Sequence, residues 1–275
     1  MTHIQTQAAK AELFRAQHHV GKLLMLPNIW DSLGARLMAK TGFPSIATAS
    51  VATALSNGYT DGERIPFSEL MQVVKKITTA VDLPVTVDIE RGFSESIPQL
   101  KDNIRILLEN GAVGINIEDS YPDHKSLYKI EEQCRKIEAI RETGIQYGVP
   151  IVINARTDIF LLNTEVNPLP KAIERGRAFH SAGADCLYPI TMNNYEDIAR
   201  YLEEAFMPVN VLLQKQVSDL KRLEKMGVAR VSLGPNFLNH ALAAMKQVAD
   251  GLIQNDSDAF FGRELLTREF LNSLI

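Results

Sequence analysis

The chain has 275 residues, of which 45% are hydrophobic, and a formal net charge of −4 at pH 7. This composition supports a globular core, and the absence of a dense basic stretch argues against nucleic acid or an anionic membrane surface as a partner. Two cysteines cannot form a secreted-type disulfide scaffold, and no signal peptide or membrane-spanning run is apparent, so we expect a cytoplasmic protein.

Short apolar runs alternate with amphipathic stretches along the chain, which predicts a repeated strand–helix order. The eight predicted strands are 23–26, 45–49, 84–89, 113–118, 150–155, 185–190, 208–213 and 229–234. The predicted helices are 31–41, 67–80, 98–110, 129–147, 170–182, 194–205, 217–226 and 236–251. The first helix begins at Asp31 and Ser32, good N-cap types, and ends at Gly42, a residue type common just past a helix.

This order predicts an α/β fold, specifically a (β/α)8 TIM-type barrel with an extra C-terminal helix. We expect one barrel domain over residues 1–275, with the helical tail at about 258–275. The competing fold is an open doubly wound sheet. That fold would be expected to carry a Gly-rich dinucleotide turn or a P-loop, and the sequence contains neither motif.

Polar residues stand at the carboxyl ends of several predicted strands, where TIM barrels place their active sites. The third strand ends with Asp88 and Glu90, the fourth with Asn116 and Glu118, and the fifth with Asn154 and Arg156. Alternate residues of a strand share one face, so each pair points the same way. Further polar residues at this end are Thr48, Ser50, Asn210 and Ser232, with Asp61 and Glu63 in the loop after the second strand.

Clustered carboxylates repel one another, and a divalent cation removes that repulsion. Oxygen ligands without nearby His or Cys suit Mg²⁺ or Mn²⁺ rather than zinc. Arg156 can bind a carboxylate or phosphonate through two N–H groups. The combination predicts a small 2-oxo acid as substrate, chelated by the metal. Asp119 and Asp158 point the other way, and we expect them at helix starts or in surface ion pairs.

Several motifs, in order, resemble those of the isocitrate lyase/phosphoenolpyruvate mutase superfamily. "GYTDGER" resembles the family loop with its essential aspartate, and "PVTVDIERGF" the "DxDxG" metal motif. "GAVGINIEDS" is similar to the strand with a metal-shell glutamate, and "INARTDIF" to the strand with the substrate arginine. The similarity covers most of the chain and implies a Mg²⁺-dependent barrel enzyme.

The resemblance also implies individual roles. Asp88 would be the direct metal ligand, while Glu90 and Glu118 would hold metal-bound water. Asp61 would lie beside the reaction centre, and Arg156 would bind the substrate carboxylate. The segment Ala49, Ser50 and Val51 would hold the other end of the substrate, and Asn210 is a further candidate substrate contact.

The sequence departs from the family pattern at three places. The end of the predicted strand 185–190, "YPI", lacks the His or Glu that many relatives place there, so we expect that side of the pocket to be more apolar and to favour a small substrate or one with an apolar arm over a tricarboxylate. Position 90 is Glu where the motif usually has Asp, a change that a water-mediated metal contact can absorb. The segment "DSYPDHKSLYKIEEQC" lacks the "KKCGH" gating loop of the isocitrate and methylisocitrate lyases. It also does not align cleanly with the Lys and Asn loop of the mutases and phosphonopyruvate hydrolases. His124 and Lys125 could act from a mobile lid, and a solvated turn is the alternative.

We therefore expect a Mg²⁺-dependent enzyme, with Mn²⁺ as a possible substitute, that makes or breaks a C–C or C–P bond of a small 2-oxo-carboxylate through a metal-bound enolate. The leading alternatives are an oxaloacetate-like decarboxylase or hydrolase, or a carbon–carbon lyase. A phosphoenolpyruvate mutase or phosphonopyruvate hydrolase comes next, followed by a barrel that binds a 2-oxo acid without catalysis. The resemblance also implies a homo-oligomer, a dimer or tetramer that exchanges its C-terminal helix.

Overall fold

The computed structural model describes residues 2–121, 125–162, 166–261 and 265–275, and the strands and helices below are those of these residues. The strands are Leu24–Leu26 (β1), Asn28–Ile29 (β2), Ile46–Thr48 (β3), Val85–Asp88 (β4), Gly114–Glu118 (β5), Val152–Thr157 (β6), Cys186–Pro189 (β7), Asn210–Leu212 (β8) and Arg230–Ser232 (β9).

The helices alternate with these strands. They are His3–Gln17 (α1), Ser32–Thr41 (α2), Ser50–Ser56 (α3), Phe67–Ala80 (α4), Ile97–Glu109 (α5), Ile130–Tyr147 (α6), Ile159–Leu162 (α7), Leu169–Ser181 (α8), Tyr195–Ala205 (α9), Leu220–Met226 (α10), Asn236–Ile253 (α11), Asp258–Phe261 (α12) and Arg268–Asn272 (α13), with a 3-10 turn at Lys215–Val217. In the described part of the chain, no helix is long and apolar enough to cross a membrane.

All strand pairs are parallel, and together they form a closed barrel. One sheet has the order β2-β3-β4-β5-β6-β7 and the other β1-β9-β8. Pro27 separates β1 from β2 because proline has no N–H to donate, although its carbonyl still accepts from the Ala47 N–H at 3.0 Å. A parallel bridge between Leu187 and Val209 joins β7 to β8. The two sheets thus meet at both ends and give eight strand positions around the barrel.

Apolar stripes on the outer helices cover the barrel. In α5 the buried positions are Leu100, Ile104, Leu107 and Leu108, the spacing of one helical face. β5 is buried along its whole length, as expected for a strand covered on both sides. At the amino end of the barrel, Phe14 of α1 packs on Gly114, where a Cβ would lie only 2.8 Å from the Phe14 ring. The small residue at 114 therefore lets α1 close that end.

The prediction of an α/β barrel is confirmed, and each of the eight predicted strands has its counterpart. The sequence reading did not predict α1, α3 or α7, and the predicted helix at 217–226 begins only at Leu220. The tail was expected to be one helix over about 258–275. Its described residues instead contain two short helices, α12 and α13, with non-helical chain at 265–267.

Candidate active site

A cavity of about 230 Å³ opens at the carboxyl ends of the strands. Six of the predicted site residues line it, namely Ala49, Ser50, Val51, Asp61, Asp88 and Arg156. Further lining residues are Asn28, Asn116, Leu161, Tyr188, Ile190, Leu212, Ser232, Gly234 and Pro235. The cavity therefore brings together side chains that are more than 170 residues apart in sequence.

Strand register explains how these side chains meet. Asp88 pairs with Asn116 across β4 and β5, and Glu118 pairs with Arg156 across β5 and β6. Arg156 in turn pairs with Tyr188 across β6 and β7. Because residues in register lie side by side, these groups form two adjacent levels of the barrel: Asp88 with Asn116 and, nearer the carboxyl ends, Glu118 with Arg156 and Tyr188. Ala49, Ser50 and Val51 line the same cavity from the start of α3.

Arg156 is held by two carboxylates. Its Nη1 lies 2.8 Å from Oε2 of Glu118, and its Nε and Nη2 contact the Asp158 carboxylate at 2.5 and 3.1 Å. These contacts use three of the five N–H groups of a guanidinium. Two N–H groups therefore remain for a ligand carboxylate, and the Arg156 side chain is fixed in orientation before the ligand arrives.

Glu118 lies between two arginines. In addition to Arg156, Nη1 of Arg91 lies 3.5 Å from Oε1 of Glu118, and Nη2 of Arg91 lies 3.0 Å from Oε2 of Glu63. Arg91 is only 3% exposed. The charge on Glu118 is thus compensated by the protein itself.

The loops at 61–64 and 90–93 are locked together through Glu63 and Glu90. The Glu63 N–H donates to Oε2 of Glu90 at 2.8 Å, and Oε1 of Glu63 accepts from the N–H groups of Arg91 and Phe93 at 3.1 and 2.7 Å. Glu63, Glu90 and Phe93 all have positive φ, between 48° and 59°, which is uncommon for residues other than glycine. This strain is concentrated beside the cavity, and the locked loops carry Asp61 to its wall.

Burial and mutual repulsion raise the pKa values of the site carboxylates. Burial raises the pKa of Glu90 to about 8, and the charges of Asp61 and Asp88 add to the rise. Burial also raises the pKa of Asp88, against the opposing effects of Arg156 and the N–H groups of Glu90 and Ser50. The pKa of Glu118 is raised in the same way, with Arg156 opposing the rise. This end of the barrel therefore favours a positive charge beside Asp61, Asp88 and Glu90.

The acidic donor set at this end of the barrel could hold a divalent metal ion. Within the described ranges, no group of three or more His, Cys, Asp or Glu side chains is arranged to hold a metal directly. Mg²⁺ commonly takes one or two carboxylates and keeps several waters. Asp88 lines the cavity and could bind such an ion directly, and Asp61 lines the same cavity, whereas Glu90 is buried outside its wall.

Of the predicted site residues that the structure describes, four do not line this cavity: Glu90 and Glu118, which are buried as described above, and Asn210 and Lys125. Asn210 is fully buried below it, where its amide donates to Oγ of Ser232 at 2.9 Å. Lys125 is exposed and borders a different cavity, of about 320 Å³, beside Arg175. His124 lies outside the described residues.

The expectation of surface ion pairs for Asp119 and Asp158 is wrong, because both are fully buried. The helix-start prediction is confirmed for Asp158, which directly precedes α7 and whose carbonyl accepts from the Leu162 N–H at 2.9 Å. Asp158 binds Arg156 as described, and its N–H donates to Oδ1 of Asp119 at 2.9 Å. Asp119 also accepts from Nε of Arg175 at 2.7 Å. The buried carboxylates of Asp119 and Asp158 therefore form a network that supports Arg156.

The sequence analysis did not identify several other residues at or beside the cavity, because their positions do not follow from the periodicity of the strands and helices. Arg91 follows the strand that ends at Asp88, and its position after two acidic residues is the one signal that could have suggested pairing. Leu161, Ile190 and Leu212 form an apolar part of the cavity wall. The apolar character at Ile190 was expected from the sequence, but Leu161 comes from the unpredicted helix α7.

The family model for phosphoenolpyruvate phosphomutase matches residues 14–253. An uncharacterized protein of Mycobacterium tuberculosis strain H37Rv is 30% identical over 242 residues, which is 86% of this chain and 89% of that protein. Oxaloacetate decarboxylase of Pseudomonas entomophila strain L48 is 26% identical over 268 residues, 92% of this chain and 88% of that protein.

Solved structures agree with these matches. A Burkholderia cenocepacia J2315 protein described as a lyase/mutase has a TM-score of 0.90 at 31% identity, covering 98% of this chain and 96% of that one. Phosphonopyruvate hydrolase in complex with oxalate and Mg²⁺ has a TM-score of 0.84 at 20% identity, over 96% of this chain and 94% of that one, a likeness of fold. This chain belongs to the phosphoenolpyruvate phosphomutase family.

Proposed function

We propose that this protein is a Mg²⁺-dependent enzyme that breaks or makes a C–C bond of a small 2-oxo-carboxylate, by decarboxylation, hydrolysis or lyase chemistry. The observation that carries the proposal is the arrangement of Arg156 opposite Asp61 and Asp88 in one small cavity. An arginine with two N–H groups left for a ligand suits a carboxylate, and the acidic side suits a divalent cation.

The size and lining of the cavity support a small substrate. A volume of about 230 Å³ is below the usual range for drug-sized ligands. Leu161, Ile190 and Leu212 offer no charged group to a second or third carboxylate on that side. The lining therefore favours a substrate with a short or apolar arm over a tricarboxylate.

Each group has a distinct task in the proposed reaction. Arg156, held by Glu118 and Asp158, would bind and orient the substrate carboxylate. Asp88 would hold the metal, and Asp61 would face the reacting carbon. When bound, Mg²⁺ would neutralise the negative charge that develops on the 2-oxo oxygen. The buried network behind Arg156 keeps this geometry in place, so little reorganisation is needed when the charge develops.

Phosphoenolpyruvate mutase or phosphonopyruvate hydrolase chemistry is the second candidate, since the same metal and arginine would bind a phosphonate.

Cytoplasmic location is part of the proposal and is supported by two free cysteines, Cys134 and Cys186.

We also propose that the chain forms a homo-oligomer, a dimer or tetramer, through α11 and the tail. Leu242, Met245 and Leu252 are exposed on α11 at helical spacing, and Phe261 in α12 is 74% exposed. Apolar surface of this extent commonly marks a protein interface. Exchange of the last helix between subunits is the form of assembly that the family resemblance implies.

The proposed reaction can be tested by ¹H NMR on purified protein with oxaloacetate, phosphonopyruvate, phosphoenolpyruvate, methylisocitrate and dimethylmalate. Each compound is incubated with Mg²⁺ and, in parallel, with EDTA. We expect metal-dependent consumption of one 2-oxo acid or its aldol-type precursor, which Asp88→Asn abolishes.

The matched control is Asp102→Asn, which removes an exposed carboxylate on α5. Full activity of the Asp88→Asn variant would contradict the proposal. Binding of these compounds without any product would favour the binding-protein alternative, and release of a phosphorus product alone would favour the mutase or hydrolase alternative.

A further inference from the structure

Tyr188 occupies a position in the cavity that the proposed mechanism does not yet use. It lies in β7, in register with Arg156, and it lines the cavity although its residue surface is only 4% exposed. In the described part of the chain, its hydroxyl has no hydrogen-bond partner. Buried tyrosine hydroxyls usually have a partner, so this unpaired hydroxyl is available for a reaction in the cavity.

The proposed reaction requires a proton donor in the cavity. Breaking the bond between C3, the carbon next to the 2-oxo group, and its carbon substituent leaves the electron pair of that bond in an enolate, and C3 must then receive a proton. The other hydroxyls in the wall belong to Ser50 and Ser232, which are far weaker acids than a phenol. Tyr188 therefore carries the hydroxyl best suited to this step.

A second buried group supports this role. Arg230 in β9 is fully buried, and its Nη2 donates to Oδ1 of Asn116 at 3.2 Å, whereas its Nε and Nη1 have no hydrogen-bond partner in the described residues. Burial raises the pKa of Tyr188, the charges of Asp88 and Asp158 add to the rise, and the positive charges of Arg156 and Arg230 oppose it. The two guanidinium groups would thus lower the cost of a transient phenolate at Tyr188.

We propose that Tyr188 is a catalytic residue that protonates the enolate carbon, an inference that rests on the proposed function. The C–C bond breaks, its electrons form the enolate, and the O–H bond of Tyr188 breaks as the new C–H bond forms. The resulting phenolate then takes a proton from water that enters as the cleaved fragment leaves. In the reverse direction, the phenolate removes a proton from the methyl group of a bound 2-oxo acid.

The reverse step gives a direct test. Wild-type protein with Mg²⁺ and pyruvate in D₂O should exchange the methyl protons of pyruvate for deuterium, and EDTA should stop the exchange. In Tyr188→Phe, exchange and forward turnover should both fall by at least about 100-fold, the usual lower range for a general acid. Affinity for oxalate, measured by calorimetry with Mg²⁺, should stay within about 3-fold because binding does not need this proton.

The control is Tyr201→Phe, which removes the hydroxyl of another fully buried tyrosine, on α9 and outside the cavity. Exchange within about 3-fold of wild type in Tyr188→Phe would overturn the assignment, as would loss of oxalate binding, which would indicate a role in binding or folding. If the wild-type protein itself neither exchanges pyruvate nor consumes any of the compounds tested, the proposed function fails, and the role of Tyr188 fails with it.

Discussion

Arg91 and Glu63 form an ion pair of 3.0 Å between Nη2 and Oε2, in a position where both side chains are largely removed from water. The pair joins the loop that carries Asp61 to the loop that follows Asp88. Arg91 also approaches Glu118 at 3.5 Å, so one guanidinium serves two carboxylates. The acidic side of the cavity therefore contains a permanent internal counter-charge in addition to any metal ion.

Replacing Arg91 by Met should destabilise the fold. The variant leaves Glu63 and Glu118 buried with one partner fewer, and breaking a buried ion pair typically costs about 3–5 kcal/mol. The free energy of unfolding, measured by urea denaturation in the presence of EDTA, should fall by roughly that amount. The control is Arg105→Met, which breaks an exposed pair with Asp102 and should cost about 1 kcal/mol or less. Equal losses in the two variants would show that Arg91 does not act as a buried counter-charge.

Gly92→Ala should also destabilise the site, through shape rather than charge. Gly92 has φ of +103°, and an added Cβ would lie 2.6 Å from Cδ1 of Leu100. Both the backbone strain and the clash oppose the substitution, and we expect a loss of about 2–4 kcal/mol. Gly58→Ala is the matched control because Gly58 also has positive φ, +84°, but nothing lies within 4 Å of the added atom. Thermal and urea unfolding of the two variants should differ by the cost of the clash, and similar losses would refute the packing argument.

The cavity wall formed by the strands could be predicted from sequence because it depends on alternation. Asp88 and Arg156 end predicted strands, and parallel strands place their carboxyl ends together. Arg91, Glu63 and Asp158 could not be placed in this way. The contacts of Arg91 and Glu63 depend on loops with positive φ at Glu63, Glu90 and Phe93, and such conformations leave no periodic signal in the sequence. Asp158 lies one residue past the end of β6, where strand alternation no longer applies. Asn210 has the alternation that the sequence predicts, but it lies deeper in the barrel than the cavity wall, and its amide donates to Ser232 there.

The exposed stripe on α11 predicts a change of oligomeric state in a surface variant. Met245→Glu places a charge in the centre of the apolar stripe formed with Leu242 and Leu252, and burying that charge in an interface is costly. Light scattering after size-exclusion chromatography should give a dimer or tetramer for the wild type and a smaller particle for the variant. Lys221→Glu, an exposed change on α10, should leave the mass unchanged. A monomeric wild-type protein would contradict the proposed assembly.

His18 should make the fold sensitive to acid. This residue follows α1, is buried, and its Nδ1 lies 2.9 Å from the Phe14 carbonyl oxygen. Burial, aided by the positive charge of Arg230, lowers the pKa of His18 from 6.5 to about 4. Because the folded-state pKa is lower than the unfolded one, the stabilisation is complete above pH 6.5 and is lost as the pH falls towards 4. At pH 5 the wild type should have lost about 2 kcal/mol through this group relative to pH 8.

The His18→Asn variant isolates this contribution, because its side-chain amide can still donate to the Phe14 carbonyl but does not titrate. The difference in unfolding free energy between pH 8 and pH 5, measured in urea, should be smaller in the variant by about 2 kcal/mol. His19→Asn changes an exposed neighbour and should leave the pH dependence as in the wild type. If His18→Asn keeps the full pH dependence, then His18 is protonated in the folded state without cost. In that case the burial of His18 after α1 does not determine the stability of the fold in acid.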